Sequence, residues 1–348
     1  MRLLFLLLVI CFSSTKNFSQ ASFYISGRII DAQTKKPVPF ATVFLARTSI
    51  GMVTNEDGTF NLESIPQGKY DFTVSMLGYE RFSKSIDLSE KSVNNYIVEL
   101  KTTEVELESV TVTGHKEKWN PTLYSKFEKI FLGQTANAFH CKVINQRDIF
   151  SYNEKEKLIA ISKKPIEVLN QALGYKIFYD LKQFEADFEN DRLTMSGEIR
   201  FEELVPANGK QKAKWLKERD RAYYGSIEHF LRSLLNHQLT ENYFSIIGPN
   251  GNILHEEDIL KNDSIRFSGQ LNVKFSKELP ENLNMQRRQD RDGRQQSEVI
   301  FNGSPIKIYQ NGYFEDFHNV VFLGYFQLGN VAEMVPLGYV PYQGLSKK

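Results

Sequence analysis

The residues best placed to do chemistry fall in one stretch, Arg221-Ala222-Tyr223-Tyr224-Gly225-Ser226, running into His229-Phe230-Leu231-Arg232-Ser233. Apolar spacing over 210–235 predicts one long helix with Leu216, Tyr223, Tyr224, Ile227, Phe230, Leu231 and Leu234 on its buried face. Gly225, Ser226, His229, Arg232 and Ser233 then share the opposite face, with Arg221 beside them. Ser226 and His229 are within reach of one another on a helix. A serine nucleophile, however, needs a strained elbow and an oxyanion hole, and a regular helix interior supplies neither. No catalytic residue is therefore assigned. Two uses of the face remain. Its small residues Ala222, Gly225, Ser226 and Ser233 would let a sheet or second helix pack closely, with His229 and Arg232 at the margin. Alternatively, Arg221, His229 and Arg232 line a shallow anion-binding groove with Tyr224 as its apolar wall. Those four are the candidate binding residues.

Other constellations are weaker. The six histidines are scattered at 115, 140, 229, 237, 255 and 318, and His255-Glu256-Glu257 lacks the second histidine one helical turn on that a zinc site needs. No metal and no cofactor is expected. Asn55-Glu56-Asp57-Gly58 is too short for a calcium loop, whose ligands alternate over about twelve residues, and reads as a tight β-turn. Cys141 follows His140 directly, so on a strand the two point to opposite faces, and the thiol reads as a small hydrophobe. Trp215, among Lys212, Lys214, Lys217 and Arg219, reads as a solvated helix start.

The elements around this stretch mix helix and strand. Tyr124, Phe127, Ile130 and Phe131 have amphipathic helical spacing. Strand-like runs cover 141–144 and 158–161. Pro165 and Gly174 bracket a short helix over 166–173, and a hairpin follows with arms at 184–188 and 193–204 turning at Asn190-Asp191. After the long helix, strands are expected at 243–247, 265–275, 298–301, 306–309 and 320–327. The mixed-charge stretch 279–298, with Arg287, Arg288, Arg291 and Arg294, reads as a loop.

Residues 23–100 differ in kind. Short runs rich in aromatic and β-branched residues alternate with Gly27, Gly51, Gly58, Gly68 and Gly78, the pattern of a small antiparallel sandwich of about seven strands. Its phrases are Ser26-Gly27-Arg28-Ile29-Ile30-Asp31, Lys36-Pro37-Val38-Pro39-Phe40-Ala41-Thr42-Val43, Asn55-Glu56-Asp57-Gly58-Thr59-Phe60 and Leu77-Gly78-Tyr79. This wording resembles the carboxypeptidase regulatory-like domain, a transthyretin-like accessory sandwich with no activity of its own. No zinc carboxypeptidase catalytic motif follows it. The alternating stretch 101–114 resembles the segment before the plug of Bacteroidetes TonB-dependent transporters, but too few strand-length repeats follow for a large barrel. Ala172-Leu173-Gly174-Tyr175 and the 221–234 stretch resemble exported Bacteroidetes proteins in which such a sandwich precedes a domain of unknown function. That resemblance implies compartment and architecture, with no site residues to carry over.

Met1-Arg2, the apolar run 3–12 and Ser19-Gln20-Ala21 have the form of a cleaved signal peptide. Cys11 as a lipid-bearing residue is disfavoured by Ile10 and Phe12 on either side. After cleavage Cys141 is the one remaining cysteine, which leaves no disulfide framework. No later stretch is apolar enough to span a bilayer as a helix, and a net charge of +1 gives no bulk attraction to nucleic acid or anionic lipid.

The expected fold class is therefore mostly β and multidomain. A signal peptide (1–21) is followed by an Ig- or transthyretin-like sandwich (22–101), an extended linker (102–119) and an α+β domain with one long helix (120–348). The expected function is that of a non-enzymatic, exported cell-envelope protein of the periplasm or outer membrane, acting as a protein- or glycan-binding or accessory module. Two alternatives stand beside it: a hydrolase of cell-wall or peptide substrate with a site in the second domain, and an accessory to a TonB-dependent outer-membrane transporter.

Overall fold

The computed structural model describes residues 22–103, 119–190, 192–277, 295–303, 305–328 and 330–342. The expected signal peptide with Cys11, nearly all of the linker, and most of the 279–298 loop lie outside the described residues. The chain is mostly β, as expected, and buries three hydrophobic clusters.

The first cluster lies between two sheets made of β1 (Ser22–Asp31), β2 (Thr42–Leu45), β3 (Gly51–Val53), β4 (Thr59–Pro66), β5 (Lys69–Ser75), β6 (Phe82–Asp87) and β7 (Val93–Leu100). Strand order is β4-β1-β7 in one sheet and β3-β2-β5-β6 in the other. Period-2 alternation sends Tyr70, Phe72 and Val74 of β5 inward. The pairing is not wholly antiparallel: β7 runs parallel to β1. It reaches that edge from the opposite sheet, and a crossover of this kind delivers a strand in parallel where a hairpin cannot. Gly58 has φ +75°, as the turn reading requires, and the Asp57 carboxylate accepts from the amide and hydroxyl of Thr59, which spends it on the turn.

The second cluster packs α1 (Pro121–Leu132) against a six-stranded sheet. The Asn120 side chain caps α1 at the amides of Thr122 and Leu123, and Tyr124, Phe127 and Phe131 face inward. The sheet contains β8 (Cys141–Val143), β9 (Ile149–Glu154), β10 (Lys157–Ser162), β11 (Ile166–Asn170), β12 (Tyr175–Asp187) and β13 (Arg192–Glu203). The expected helix over 166–173 is a strand followed by a turn. Ile166, Val168 and Asn170 alternate inward with period 2, and the Asn170 side chain accepts from the amides of Ala172 and Leu173 to fold the chain back. Trp215 is buried rather than solvated: its ring lies over Gly174 and its indole N–H donates to Gln171 O at 2.8 Å.

The predicted long helix is two helices, α2 (Gly209–Tyr223) and α3 (Ile227–Leu235). α3 buries Phe230, Leu231 and Leu234 in the third cluster. There β14 (Phe244–Ile247) and β15 (Ile253–Leu254) precede a short helix α4 (Glu256–Ile259). Two-residue strands β16 (Leu260–Lys261) and β17 (Ser264–Ile265) follow, then β18 (Gly269–Phe275), β19 (Gln295–Phe301), β20 (Ile306–Lys307) and β21 (Val320–Gly324). The main sheet has the order β15-β14-β18-β19-β21.

The three clusters are tied together. The turn after β2 docks on the outer edge of β13, with Arg47 N donating to Ile199 O and Phe201 N to Thr48 O. Arg81 pairs with Asp180 and Glu198, and Lys69 with Glu315. Residues 330–342 then lace across everything. Val331 and Val335 enter the second cluster and Leu337 enters the sandwich core, while Tyr339 OH and Tyr342 N both donate to Asp220 Oδ1. The sandwich core is therefore not completed by its own seven strands.

Candidate functional site

The break between α2 and α3 organises the site. Gly225 has φ +80°, a conformation that costs any residue with a Cβ, and a Cβ there would lie 2.5 Å from Gln295 Oε1 and 2.9 Å from the Phe275 ring. The Ser226 hydroxyl accepts from His229 N at 3.2 Å, the N-cap of α3. The imidazole closes the arrangement, its Nδ1 accepting from Gly225 N at 3.1 Å. That bond needs a neutral ring. Burial, reinforced by Arg232, drops the His229 pKa to about 3. The ring sits among Tyr223, Tyr224, Phe244 and Phe275, with centroids 4.9–5.7 Å away.

Above the break lies a cavity of about 320 Å³. All three clusters reach it: Arg47 from the sandwich, Phe201 from β13, Phe322 from β21, and Glu333 from the C-terminal segment. Six aromatic side chains line it, Phe201, Tyr224, Phe314, Phe322, Tyr325 and Phe326. Two carboxylates interrupt that wall. Glu228, in the first turn of α3, is buried, and its Oε1 pairs with Arg47 Nη2 at 2.7 Å. Its Oε2 has no hydrogen-bond partner among the described residues. Burial outweighs Arg47 and Arg232 and pushes the Glu228 pKa up to about 7. Glu333 is raised for the same reason, although Asn137 Nδ2 donates to its Oε2 at 3.0 Å.

Only two of the four candidate binding residues share the cavity. Arg221 and Tyr224 line the cavity, where Arg221 Nη1 lies 3.3 Å from Glu218. His229 is 3 % exposed and serves as the clamp of the break. Arg232 donates to Tyr339 O at 2.6 Å, under the C-terminal segment and outside the cavity lining. The predicted anion groove therefore does not form, because angular positions computed for one continuous helix do not carry across Gly225. Sequence reasoning missed Arg47, Glu228 and Glu333. Only Glu228 left a signal, an acid inside the apolar run Ile227-Glu228-His229-Phe230-Leu231.

The arrangement suits binding better than bond cleavage. The serine hydroxyl caps a helix and the imidazole holds a backbone amide, so neither forms a nucleophile–base pair. Cys141 is equally unsuited, its thiol pushed up to about 12 by burial. No helix among the described residues is long and apolar enough to cross a membrane, and no group of His, Cys, Asp and Glu among them could hold a metal ion.

Comparison with known proteins identifies the first cluster. Residues 25–112 match the family model of the CarboxypepD_reg-like domain, the sandwich resemblance carried by the sequence. No curated protein matches the chain. Among solved structures, 25 % of the chain aligns with a 3-chlorocatechol 1,2-dioxygenase from Rhodococcus opacus, at 11 % identity and a TM-score of 0.21, and spans 62 % of that enzyme. A catechol 1,2-dioxygenase from Acinetobacter is spanned over 54 % of its length. A DUF3823 family protein from Bacteroides ovatus aligns over 54 % of this chain and 83 % of its own, at 10 % identity and a TM-score of 0.20. Likeness at this level carries nothing about ligand or activity.

Proposed function

We propose that this chain is a non-enzymatic binding protein, exported to the cell envelope, whose ligand occupies the cavity above the α2–α3 break. The observation that carries this reading is the cavity itself: it is lined by aromatic rings, holds the buried carboxylate of Glu228 and the half-buried one of Glu333, and is assembled from all three clusters. The CarboxypepD_reg-like sandwich supplies Arg47 to it, so the accessory domain takes part in the site instead of hanging beside it.

Calorimetric titration with saccharides and short peptides, run on wild type and Ala222→Trp, tests the idea. The added indole would fill the space beside Tyr224, so saturable binding to wild type should disappear in the variant. Binding that survives would place the ligand elsewhere. Export rests on residues 1–21 and is tested by mass spectrometry of envelope protein, which should begin between Gln20 and Phe23. An intact Met1 or a lipidated Cys11 overturns it.

One observation favours a hydrolase as the second reading. Glu228 and Glu333 face one cavity, and both are raised towards the range where a carboxyl can act as a general acid. Turnover of a glycoside or peptide that Glu333→Gln abolishes without loss of binding would decide for it.

A further inference from the structure

We propose that the cavity takes an organic ammonium, a small molecule with an apolar or aromatic body whose protonated amine is received by Glu228 Oε2. This inference rests on the reading of the cavity as a ligand site.

Three features point to a cation. The first is an unanswered acceptor. Glu228, which lines the cavity, is 8 % exposed and spends one oxygen on Arg47, while the other is buried with no hydrogen-bond partner among the described residues. A buried acceptor left unmade is costly, and a donor brought by a ligand recovers that cost. The second is the wall. Tyr224, Phe201, Phe314, Phe322 and Phe326 line it, aromatic rings whose faces stabilise an ammonium and whose bulk buries the body attached to it.

The third is the local charge balance. Both guanidinium groups lining the cavity already face carboxylates: Arg47 pairs with Glu228, and Arg221 lies 3.3 Å from Glu218 and acts on Glu333. Within the lining, two carboxylates, Glu228 and Glu333, stand against these two guanidinium groups, so no arginine is left over for an anion. Arg232 also acts on Glu228, but from outside the lining, where it is held by Tyr339 O. Burial raises both Glu228 and Glu333 in spite of the arginines that act on them. A free anionic ligand would meet those two carboxylates with both arginines already engaged. A neutral sugar could donate to Oε2 but would bring no charge to meet it.

The test is calorimetry on the full chain at pH 8 with 2-phenylethylamine, its neutral counterpart 2-phenylethanol, and glucose. The amine should bind at least about tenfold more tightly than the alcohol. Glu228→Gln should weaken the amine by about tenfold or more and the alcohol far less. Arg47→Gln provides a second arm should Glu228→Gln fold poorly. It removes the competitor for Glu228 and should tighten the amine. Equal affinity for amine and alcohol overturns the proposal, as does an amine insensitive to both substitutions. Absence of saturation by 2-phenylethylamine up to about 10 mM overturns it too. If glucose binds and Ala222→Trp abolishes that binding, the cavity remains a ligand site and only the ammonium falls. If none of these probes saturates wild type and the saccharide and peptide titrations also fail, both readings fall.

Discussion

Glu228→Gln gives the sharpest check on the electrostatics of the site. The substitution keeps the shape of the side chain and removes its titration. In the unfolded chain Glu228 titrates near its ordinary value of 4.5, and in the folded protein burial raises it to about 7. The folded state therefore holds the proton more tightly. The stability this contributes is fully present below pH 4.5 and is lost as pH rises through 7. At about 1.4 kcal/mol per pK unit, the shift corresponds to about 3 kcal/mol, with little solvent discount because the residue is buried. Denaturant melts of wild type and variant from pH 4.5 to 8.5, followed by tryptophan fluorescence, measure it as a difference. Relative to the variant, wild type should lose about 3 kcal/mol across that window. A difference that is constant with pH, or that grows in favour of wild type, would refute the argument. It would mean that the 2.7 Å pair with Arg47 holds the carboxylate ionised and outweighs its burial.

Three further outcomes follow from the same geometry. His229 has the opposite sign: its folded pKa near 3 lies below the ordinary 6.5, so its contribution is present above pH 6.5 and fades as the pH falls. The stability gap between wild type and His229→Gln should narrow by about 2 kcal/mol from pH 6.5 to 4.5, and a constant gap would show a protonated native ring. Gly225→Leu should cost about 3 kcal/mol or more, combining left-handed strain with contact against Gln295 and Phe275, and an unshifted denaturation midpoint would contradict the break. Leu337→Ala should destabilise by about 2–4 kcal/mol and expose the sandwich core, whereas a sandwich sufficient in itself would leave the melt unchanged.

The sandwich was legible because each of its strands carries its own evidence. Tyr70, Phe72 and Val74 alternate, Gly58 marks its turn, and neither signal depends on distant chain. The parallel β1–β7 pair was not, since alternation tells which face a residue takes and not the direction of its neighbour. Ile166–Asn170 misled because Pro165 and Gly174 bracket a strand and its turn as readily as a helix, and only the inward period of Ile166, Val168 and Asn170 tells them apart. The helix over 210–235 was found but drawn through Gly225. Glycine inside an apolar pattern is tolerated often enough that the pattern overrode it, although Gly225-Ser226 is also a chain reversal followed by an N-cap. Half of the candidate site went with that error. Arg47, Glu228 and Glu333 are 181 and 105 residues apart along the chain, and nothing local announces that they will share a cavity.

The break explains why the site is where it is. Had α2 continued into α3, His229 would need another partner for Nδ1, and Glu228 would point elsewhere. By stopping at Tyr223 and restarting at Ile227, the chain sends two adjacent ionisable residues to opposite environments. Glu228 faces the cavity and prefers its proton. His229 faces the third cluster and refuses one. Between pH 4.5 and 6.5 their effects on stability have opposite slopes and largely cancel. The fold thus carries two buried titratable groups at one helix start without a steep dependence on pH in that range. A cation delivered to Glu228 would upset the balance on one side only, and the ligand site and the helix start would then respond as one unit.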